Sequence, residues 1–437
     1  MKKLLPLFIA AALGSASAAT WADSLTEVYD QAKQNDPQLL RSAAERDRAF
    51  EAINSARSTL LPQINLTAGY DLTRANTIGG DSDNLTAGVG FSQELYNRAS
   101  WITLDTAEKN ARQSDSLYAA AQQNLILRTA QAYFEVLRSK DSLEFVKANK
   151  AAVARQLEQT KQRFEVGLSA ITDVHDAQAQ YDRVLADEVL AENDLLNKYE
   201  GLREITGQEH TNIDELDTER FSAPRPTNSV EFFIEEAQSK NLDLLSARIG
   251  QDIAKDNITL ASSGHLPKLT LDGGYAYDNE RNNEAVRYTG DSTNAFNAGI
   301  NLSIPLYTGG NITSQTKQAE YAYVAASEDL EQTYRSVVKN VRANNNNINS
   351  SIGAIRAYEQ TVISAQSALE ATKAGFDVGT RTIVDVLEAT QQVFEAGRNL
   401  SDARYDYIVS ILNLRQSVGT LSEQDIIDIN AGLKRAK

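Results

Sequence analysis

The chain has 437 residues, with 43 lysines and arginines against 59 aspartates and glutamates, a formal charge of −16, and no cysteine. So acidic a balance repels nucleic acid and favours cations. The missing cysteines exclude disulfides and thiolate metal sites, so stability has to come from packing over a large core or from oligomerisation.

Lys2 and Lys3 precede an apolar run from Leu4 to Leu13 and the small-residue stretch Gly14 to Ala19, which is the pattern of a secretory signal peptide. Cleavage fits after Ala18 or after Ala22, and the helix-starting Asp23-Ser24 favours the second, giving a signal peptide over 1–22. Its loss takes the charge to −18, with 41 basic residues against 59 acidic ones. No later stretch approaches the roughly 20 apolar residues of a membrane helix, and the mean hydropathy is −0.40. A closed β-barrel escapes that test, because its lipid and lumen faces alternate along each strand.

The remainder is a tandem duplication. Phe164-Glu165-Val166-Gly167 and Ile171-Thr172-Asp173-Val174 recur as Phe376-Asp377-Val378-Gly379 and Ile383-Val384-Asp385-Val386. Upstream, Leu61-Pro62 and Ala68-Gly69-Tyr70 are answered by Leu266-Pro267 and Gly273-Gly274-Tyr275. The first copy covers 23–213, a linker with the stiff Pro224-Arg225-Pro226 covers 214–228, and the second copy with a C-terminal tail covers 229–437. Each copy reads helix, strand, strand, long helix, turn, helix.

Four strands alternate with period two: Ile64 to Leu72, Leu85 to Phe91, Leu269 to Tyr277 and Phe296 to Ile304. Three of these runs are nine residues long and one is seven, close to the roughly 9 to 11 residues of a tilted membrane strand, and polar loops around Asp81 and Asn283 separate each pair. Four strands cannot close a barrel, and an open edge in lipid leaves backbone groups unpaired at several kcal/mol each, so other copies must supply the missing strands. A soluble four-stranded sheet is the competing reading, and it leaves the export signal and the long helices unexplained.

From Asn97 to about Phe164 and from Asn311 to about Phe376 there is no proline and only Gly353 in the interior, which predicts two helices of about 100 Å. The return helix of the second copy carries heptads at Val386, Ala389, Val393, Ala396, Leu400, Ala403, Tyr407, Ser410 and Leu414. The first copy is less regular, since Val174, Ala177, Tyr181, Val184 and Leu195 share their seam with Glu188 and Lys198. Asn344 to Asn347 reads as a wet helix face.

Chemistry is sparse. There is no P-loop, dinucleotide fingerprint, HExxH or GxSxG, and His175, His210 and His265 lack ligand-spaced partners, so no enzyme, metal site or cofactor is expected. His175, beside Asp173 and Asp176, is either a pH-sensitive surface group or simply exposed. The informative residues flank two tight turns, where Gly167 and Gly379 fit left-handed caps. Thr382 and Asp385 have capping-box spacing, and Asp385 and Glu388 share a helix face. Around a symmetry axis that pair becomes an acidic ring that binds cations. Alternatively Asp173, Asp385 and Glu388 only complement the helix dipole, worth about 0.3 to 1 kcal/mol. A link from Arg381 to Thr172 or Asp173 would tie the tips together.

On the motif pair RFEVGLSAITDV and VGTRTIVDV, the whole mature chain resembles the outer membrane factor family, the TolC-type exit ducts of Gram-negative efflux and type I secretion systems. That resemblance implies an α+β membrane protein located in the outer membrane and extending into the periplasm. Three protomers, four strands each, would form a 12-stranded β-barrel continuous with a periplasmic α-helical coiled-coil barrel. It implies a homotrimer in outer-membrane lipid whose partners are a periplasmic adaptor protein and an inner-membrane efflux pump or ABC exporter.

The same resemblance assigns roles by position. Asp385 and Glu388 match an aperture ring, Glu388 being longer than the aspartate of a close relative. Thr172, Asp173 and Arg381, together with Gln162 and Arg404, match a closed-state network. Val166, Gly167 and Leu168, with Val378, Gly379 and Thr380, match the tips that receive adaptor hairpins. Phe376 stands where the family pattern has a tyrosine bonded to the position of Asp173, and Gly397 replaces a lysine, which shifts the closing role toward Arg381. An oligomeric envelope scaffold or adhesin without a lumen is the reading from another class.

Overall fold

The computed structural model describes residues 23–74, 82–282 and 291–435, so the signal peptide and the loops around Asp81 and Asn283 lie outside the described residues. The first copy contains α1 (Leu25–Asn35), α2 (Pro37–Ser58), β1 (Gln63–Thr73), β2 (Ser82–Tyr96), α3 (Arg98–Glu165) and α4 (Ile171–Thr206). A two-residue strand in the linker, β3 (Glu215–Leu216), precedes the second copy: α5 (Val230–Lys240), α6 (Leu242–Ser262), β4 (Lys268–Asn282), β5 (Asp291–Ser303), α7 (Asn311–Asp377) and α8 (Ile383–Val418). After α9 (Glu423–Asn430), the tail strand β6 (Leu433–Lys434) pairs antiparallel with β3 and so ties the end of the chain to the linker. No described helix is long and apolar enough to cross a membrane.

The duplication reaches the first helices. Asp36 caps α2, accepting the Leu39 N–H at 2.8 Å and Arg128 at 2.7 Å. Its counterpart Asn241 caps α6, accepting the Leu244 N–H at 2.9 Å and donating to the Ser417 carbonyl at 2.9 Å.

α3 and α7 run 68 and 67 residues, about 100 Å each at 1.5 Å per residue. Their starts are punctuated by the Asn97 side chain, which accepts the Ala99 N–H, and by Gly309-Gly310, both at positive φ where a side chain is disfavoured. α2 lies along the first half of α3 and α4 along the second, as the cation–π contact of Arg46 with Tyr118 and the Lys150–Glu188 ion pair mark. α6 and α8 lie between α3 and α7. The irregular seam positions of α4 are explained by partners on α3: Glu188 meets Lys150, and Lys198 meets Glu135 at 3.1 Å.

The strands form one antiparallel sheet in the order β1-β2-β4-β5. Its apolar face is bare: Ile64, Leu66, Tyr70, Phe296 and Ile300 are all exposed. Among the described residues the sheet therefore has two unpaired edges, β1 with α2 and α4 on one side, β5 with α7 on the other.

A buried core sits where α1, α3, α4, α8 and α9 meet, around Leu25, Leu125, Tyr133, Leu137, Leu202 and Tyr405. Two sequence expectations are corrected here. His210 is not isolated: it is buried, its Nδ1 lies 2.7 Å from the Asp23 carboxylate and its Nε2 2.9 Å from the Thr206 hydroxyl. His175 and His265 are exposed, and no metal-holding cluster occurs among the described residues. The Asn344–Asn347 tract is only half wet, because Asn344 reaches the Asn413 carbonyl and the Ser417 hydroxyl on α8, and Asn345 is buried.

Candidate channel entrance at the helix tips

Both long helices end on the same device. Val166 and Val378 close the last turns, and Gly167 and Gly379, each at φ 78°, reverse the chain in the left-handed region that glycine adopts without strain. The Gly167 N–H donates to the Phe164 carbonyl at 2.9 Å and the Leu168 N–H to Arg163 at 2.8 Å; Gly379 and Thr380 repeat this against Phe376 and Gly375. Val166, Leu168 and Val378 stand 70%, 71% and 76% exposed, an apolar surface at the far end of the molecule from the strands.

The return helices start differently. In the second copy the Thr382 hydroxyl accepts the Asp385 N–H at 3.2 Å, while the Asp385 carboxylate accepts the Thr382 N–H at 2.8 Å and hydroxyl at 2.9 Å. These hydrogen bonds from the Thr382 backbone and side chain, assisted by the positive charge of Arg381, hold the Asp385 carboxyl below the usual aspartate range. Glu388 follows one turn later, exposed. In the first copy Ala170 has no side-chain acceptor, and Asp173 instead takes the Ala170 N–H at 3.2 Å and the Ser169 hydroxyl at 2.6 Å.

The proposed closing residues are distributed as follows. Thr172 is exposed, Asp173 is committed to Ser169 and Ala170, and Arg381, whose charge acts on Asp385, makes no ion pair among the described residues. The stem of Arg381 lies on the last turn of α7, where a Cβ at Gly375 would stand 2.8 Å from its Cγ. Gln162 and Arg404 are not brought together. Gln162 is one turn from the tip and reaches Glu158 at 3.4 Å, whereas Arg404 lies roughly 20 residues, about 30 Å, along α8, with its guanidinium 5.8 Å from the Phe221 ring.

The link that does tie the two tips within the protomer was missed. Arg163 on α3 stacks its guanidinium 4.6 Å over the Phe376 ring and pairs with Asp377 at 3.5 Å, above a cluster of Val153, Leu157, Ile383 and Val386. Phe376 is therefore a buried core ring, and nothing of its packing calls for a hydroxyl. The signal was available in the repeat, because Arg163 and Gly375 occupy equivalent positions and differ completely. Gly397 is explained too: a Cβ there would lie 2.9 Å from the Phe145 ring, so the aromatic side chain fills the space of the missing one.

A long helical hairpin domain with a capped acidic tip at one end and an open-edged, apolar-faced sheet at the other defines an envelope channel protomer. Comparison with known proteins gives the same class: a sequence model of the outer membrane efflux protein family matches residues 28–208 and 233–420. The chain is 70% identical over its full length to Outer membrane protein TolC of Vibrio cholerae, covering all of both chains. It is 28% identical to the alkaline protease secretion protein AprF of Pseudomonas aeruginosa, covering 98% of this chain and 90% of the relative. The Campylobacter jejuni CmeC outer membrane channel superposes with a TM-score of 0.78 at 17% identity, covering 94% of this chain and 90% of the other. The chain belongs to the outer membrane efflux protein family: it is an outer-membrane exit duct, not an enzyme, with a barrel built from several protomers.

Proposed function

We propose that three copies of the chain form a passive duct, closed at rest at its helical tips, through which drugs and secreted proteins leave the cell without chemical change. The observation that carries this reading is the tip of the second copy, where a capped Asp385 and an exposed Glu388 share one face at the start of α8, just past the turn that ends the 67-residue α7. Three such pairs around an axis make a ring that concentrates cations and narrows the entrance. The exposed apolar tips, with Val166, Gly167 and Leu168 in one copy and Val378, Gly379 and Thr380 in the other, receive a periplasmic adaptor. The adaptor brings an inner-membrane efflux pump or ABC exporter. Exposed Ile64, Leu66, Phe296 and Ile300 face outer-membrane lipid.

Arg381, without an ion pair among the described residues, latches the closed state by reaching Thr172 or Asp173 of a neighbouring copy. As an exposed pair it contributes about 0 to 1 kcal/mol, weak enough to release when an adaptor engages. Single-channel recording in planar bilayers tests both parts. The double variant Asp385→Asn with Glu388→Gln loses block by multivalent cations, and persistent block would place the ring elsewhere. Arg381→Ala raises conductance, and an unchanged conductance would remove the latch. A protein that passes no current at all would leave the scaffold reading.

A further inference from the structure

Arg155, Gln156, Gln159 and Lys373 have no part in the capped turns, yet they meet in one place. A cavity of about 300 Å³ opens between α3, α7 and α8, one to two turns further from the tip than the Arg163–Phe376 stack. The buried Phe376 and Val386 form its floor, the half-buried Gln156 a wall, and the exposed Arg155, Gln159 and Lys373 its rim. Arg155, Gln159 and Arg163 follow one another at four-residue spacing on α3, as Lys373 and Asp377 do on α7, so each set shares a helix face.

The charges around this cavity do not cancel. Asp377 is the one carboxylate that lines it, and it is paired with Arg163 at 3.5 Å. Arg155 donates its Nε–H to the Ala151 carbonyl of its own helix at 3.2 Å, and neither Arg155 nor Lys373 has an ion pair among the described residues. The side-chain amides of Gln156 and Gln159 make no hydrogen bond among the described residues either. Two cations and two amides with donors to spare therefore line one space, in a chain that elsewhere carries an excess of carboxylates.

The duplication separates what packing needs here from what it does not. The apolar floor is kept in both copies, since Phe376 answers Phe164 and Val386 answers Val174. Of the polar lining only the lysine recurs, as Lys161. The positions of Arg155, Gln156 and Gln159 are taken on α7 by Ser367, Ala368 and Ala371, so a long helix of this plan folds without them. The donors of α3 are an addition to the seam, not a condition of it.

We propose that this cavity binds a small multivalent oxyanion of the phosphate or pyrophosphate kind, held by the Arg155 guanidinium, the Lys373 ammonium and the N–H groups of Gln156 and Gln159. The planar guanidinium fork takes two oxygens of one anion, and the ammonium adds a point charge. A cation would meet two like charges. Because the anion touches α3 on one side and α7 on the other, it ties the two hairpins of a protomer together, as Arg163 and Asp377 do permanently. A ligand that needs both Arg155 and Lys373 shifts the population toward the arrangement in which they share a cavity. The site stands apart from the reading of the chain as a duct; only its effect on opening rests on that reading.

Calorimetric titration of sodium pyrophosphate into the full-length protein in detergent, at constant ionic strength and without divalent cations, reads the binding directly. Saturable binding at one site per chain is expected, weakened about tenfold in Lys373→Gln and again in Arg155→Gln, the order of a hydrogen bond to a charged group. Thermal melts distinguish a lost site from a damaged fold. Without pyrophosphate the double variant, relieved of two like charges, should melt no lower than the parent, and with pyrophosphate only the parent should gain stability. Equal affinity in parent and double variant overturns the site, and so does a parent that shows neither saturable binding nor a shifted melt. A response to a glutamate-rich peptide with none to pyrophosphate would overturn the free anion as its ligand. No current is measured, so none of these outcomes touches the question of conduction.

Discussion

α8 and α4 are the same element twice, yet they meet their surroundings in opposite ways. α8 is cemented to α3: Asp141 accepts Ser401 and Tyr405, Arg138 pairs with Asp406 at 2.7 Å, and Phe134 stacks 5.8 Å from Tyr405. α4 packs along α3 through Glu188 and Lys198, but on its other side Leu185, Val189, Leu190 and Leu196 stand exposed among the described residues. A single helical plan has been specialised into a seam that holds one chain together and a seam left for another chain. The first belongs to folding and the second to assembly, so variants in the two should separate cleanly.

The largest effect is expected at the inner seam. Phe134 is 1% exposed and edge-on to Tyr133, so Phe134→Ala should cost about 3 to 5 kcal/mol, seen as a lower denaturation midpoint in detergent. Val189→Ser on the outer seam should leave protomer secondary structure intact and reduce the trimer fraction by native mass. Loss of both properties in both variants would erase the distinction.

Next comes Gly397. Restoring a lysine drives its Cβ into the Phe145 ring, and such overpacking costs about 1 to 3 kcal/mol. Adding Phe145→Ala should recover most of that loss. If Gly397→Lys alone is neutral in thermal melts, the aromatic does not occupy the vacated space.

The contrast also marks what was legible in the sequence. Helix lengths were, because the absence of proline together with Asn97, Gly167 and Gly379 fixes starts and stops locally. So were the strands and the Thr382–Asp385 capping box, which depend on near neighbours. What escaped were pairings between distant segments. Arg163 meets the Phe376 ring only through the fold, and Asp141 carries no local sign of burial. Gln162 and Arg404 were joined by motif position alone, although the rise along an α-helix keeps residues so placed about 30 Å apart.

The two caps offer a smaller test of the same asymmetry. Thr382→Ala removes a true N-cap and should cost about 0.5 to 2 kcal/mol, whereas Ala170→Ser supplies the first copy with a hydroxyl it lacks and should stabilise. Thr382→Ala also takes from the Asp385 carboxylate the hydroxyl bond while leaving the backbone N–H bond, the larger of the two that hold it below the usual range. In Glu388→Gln, where Asp385 alone carries the ring, multivalent-cation block should survive acidification through the ordinary aspartate range and fade only below it. Adding Thr382→Ala should move that midpoint part of the way upward, and an unmoved midpoint would mean that the Thr382 hydroxyl does not help to set the charge.

The smallest expected effect lies inside the inner seam. Burial pushes the Asp141 carboxyl above the usual aspartate value, against the opposing hydrogen bonds of Ser401 and Tyr405. The folded protein then binds a proton there more tightly than the unfolded chain. Stability from this site is full below the ordinary aspartate value and declines as pH rises through the elevated one. Asp402, raised for the same reason beside Arg138, adds a parallel slope. Asp141→Asn keeps a carbonyl for the two hydroxyls and removes the titration, so its denaturation midpoint should vary less with pH than that of the parent, while Asp402→Asn removes the second contribution separately. An unchanged pH slope in Asp141→Asn would mean that the carboxyl is ionised in the fold, and that α8 is held to α3 by a charged rather than a neutral contact.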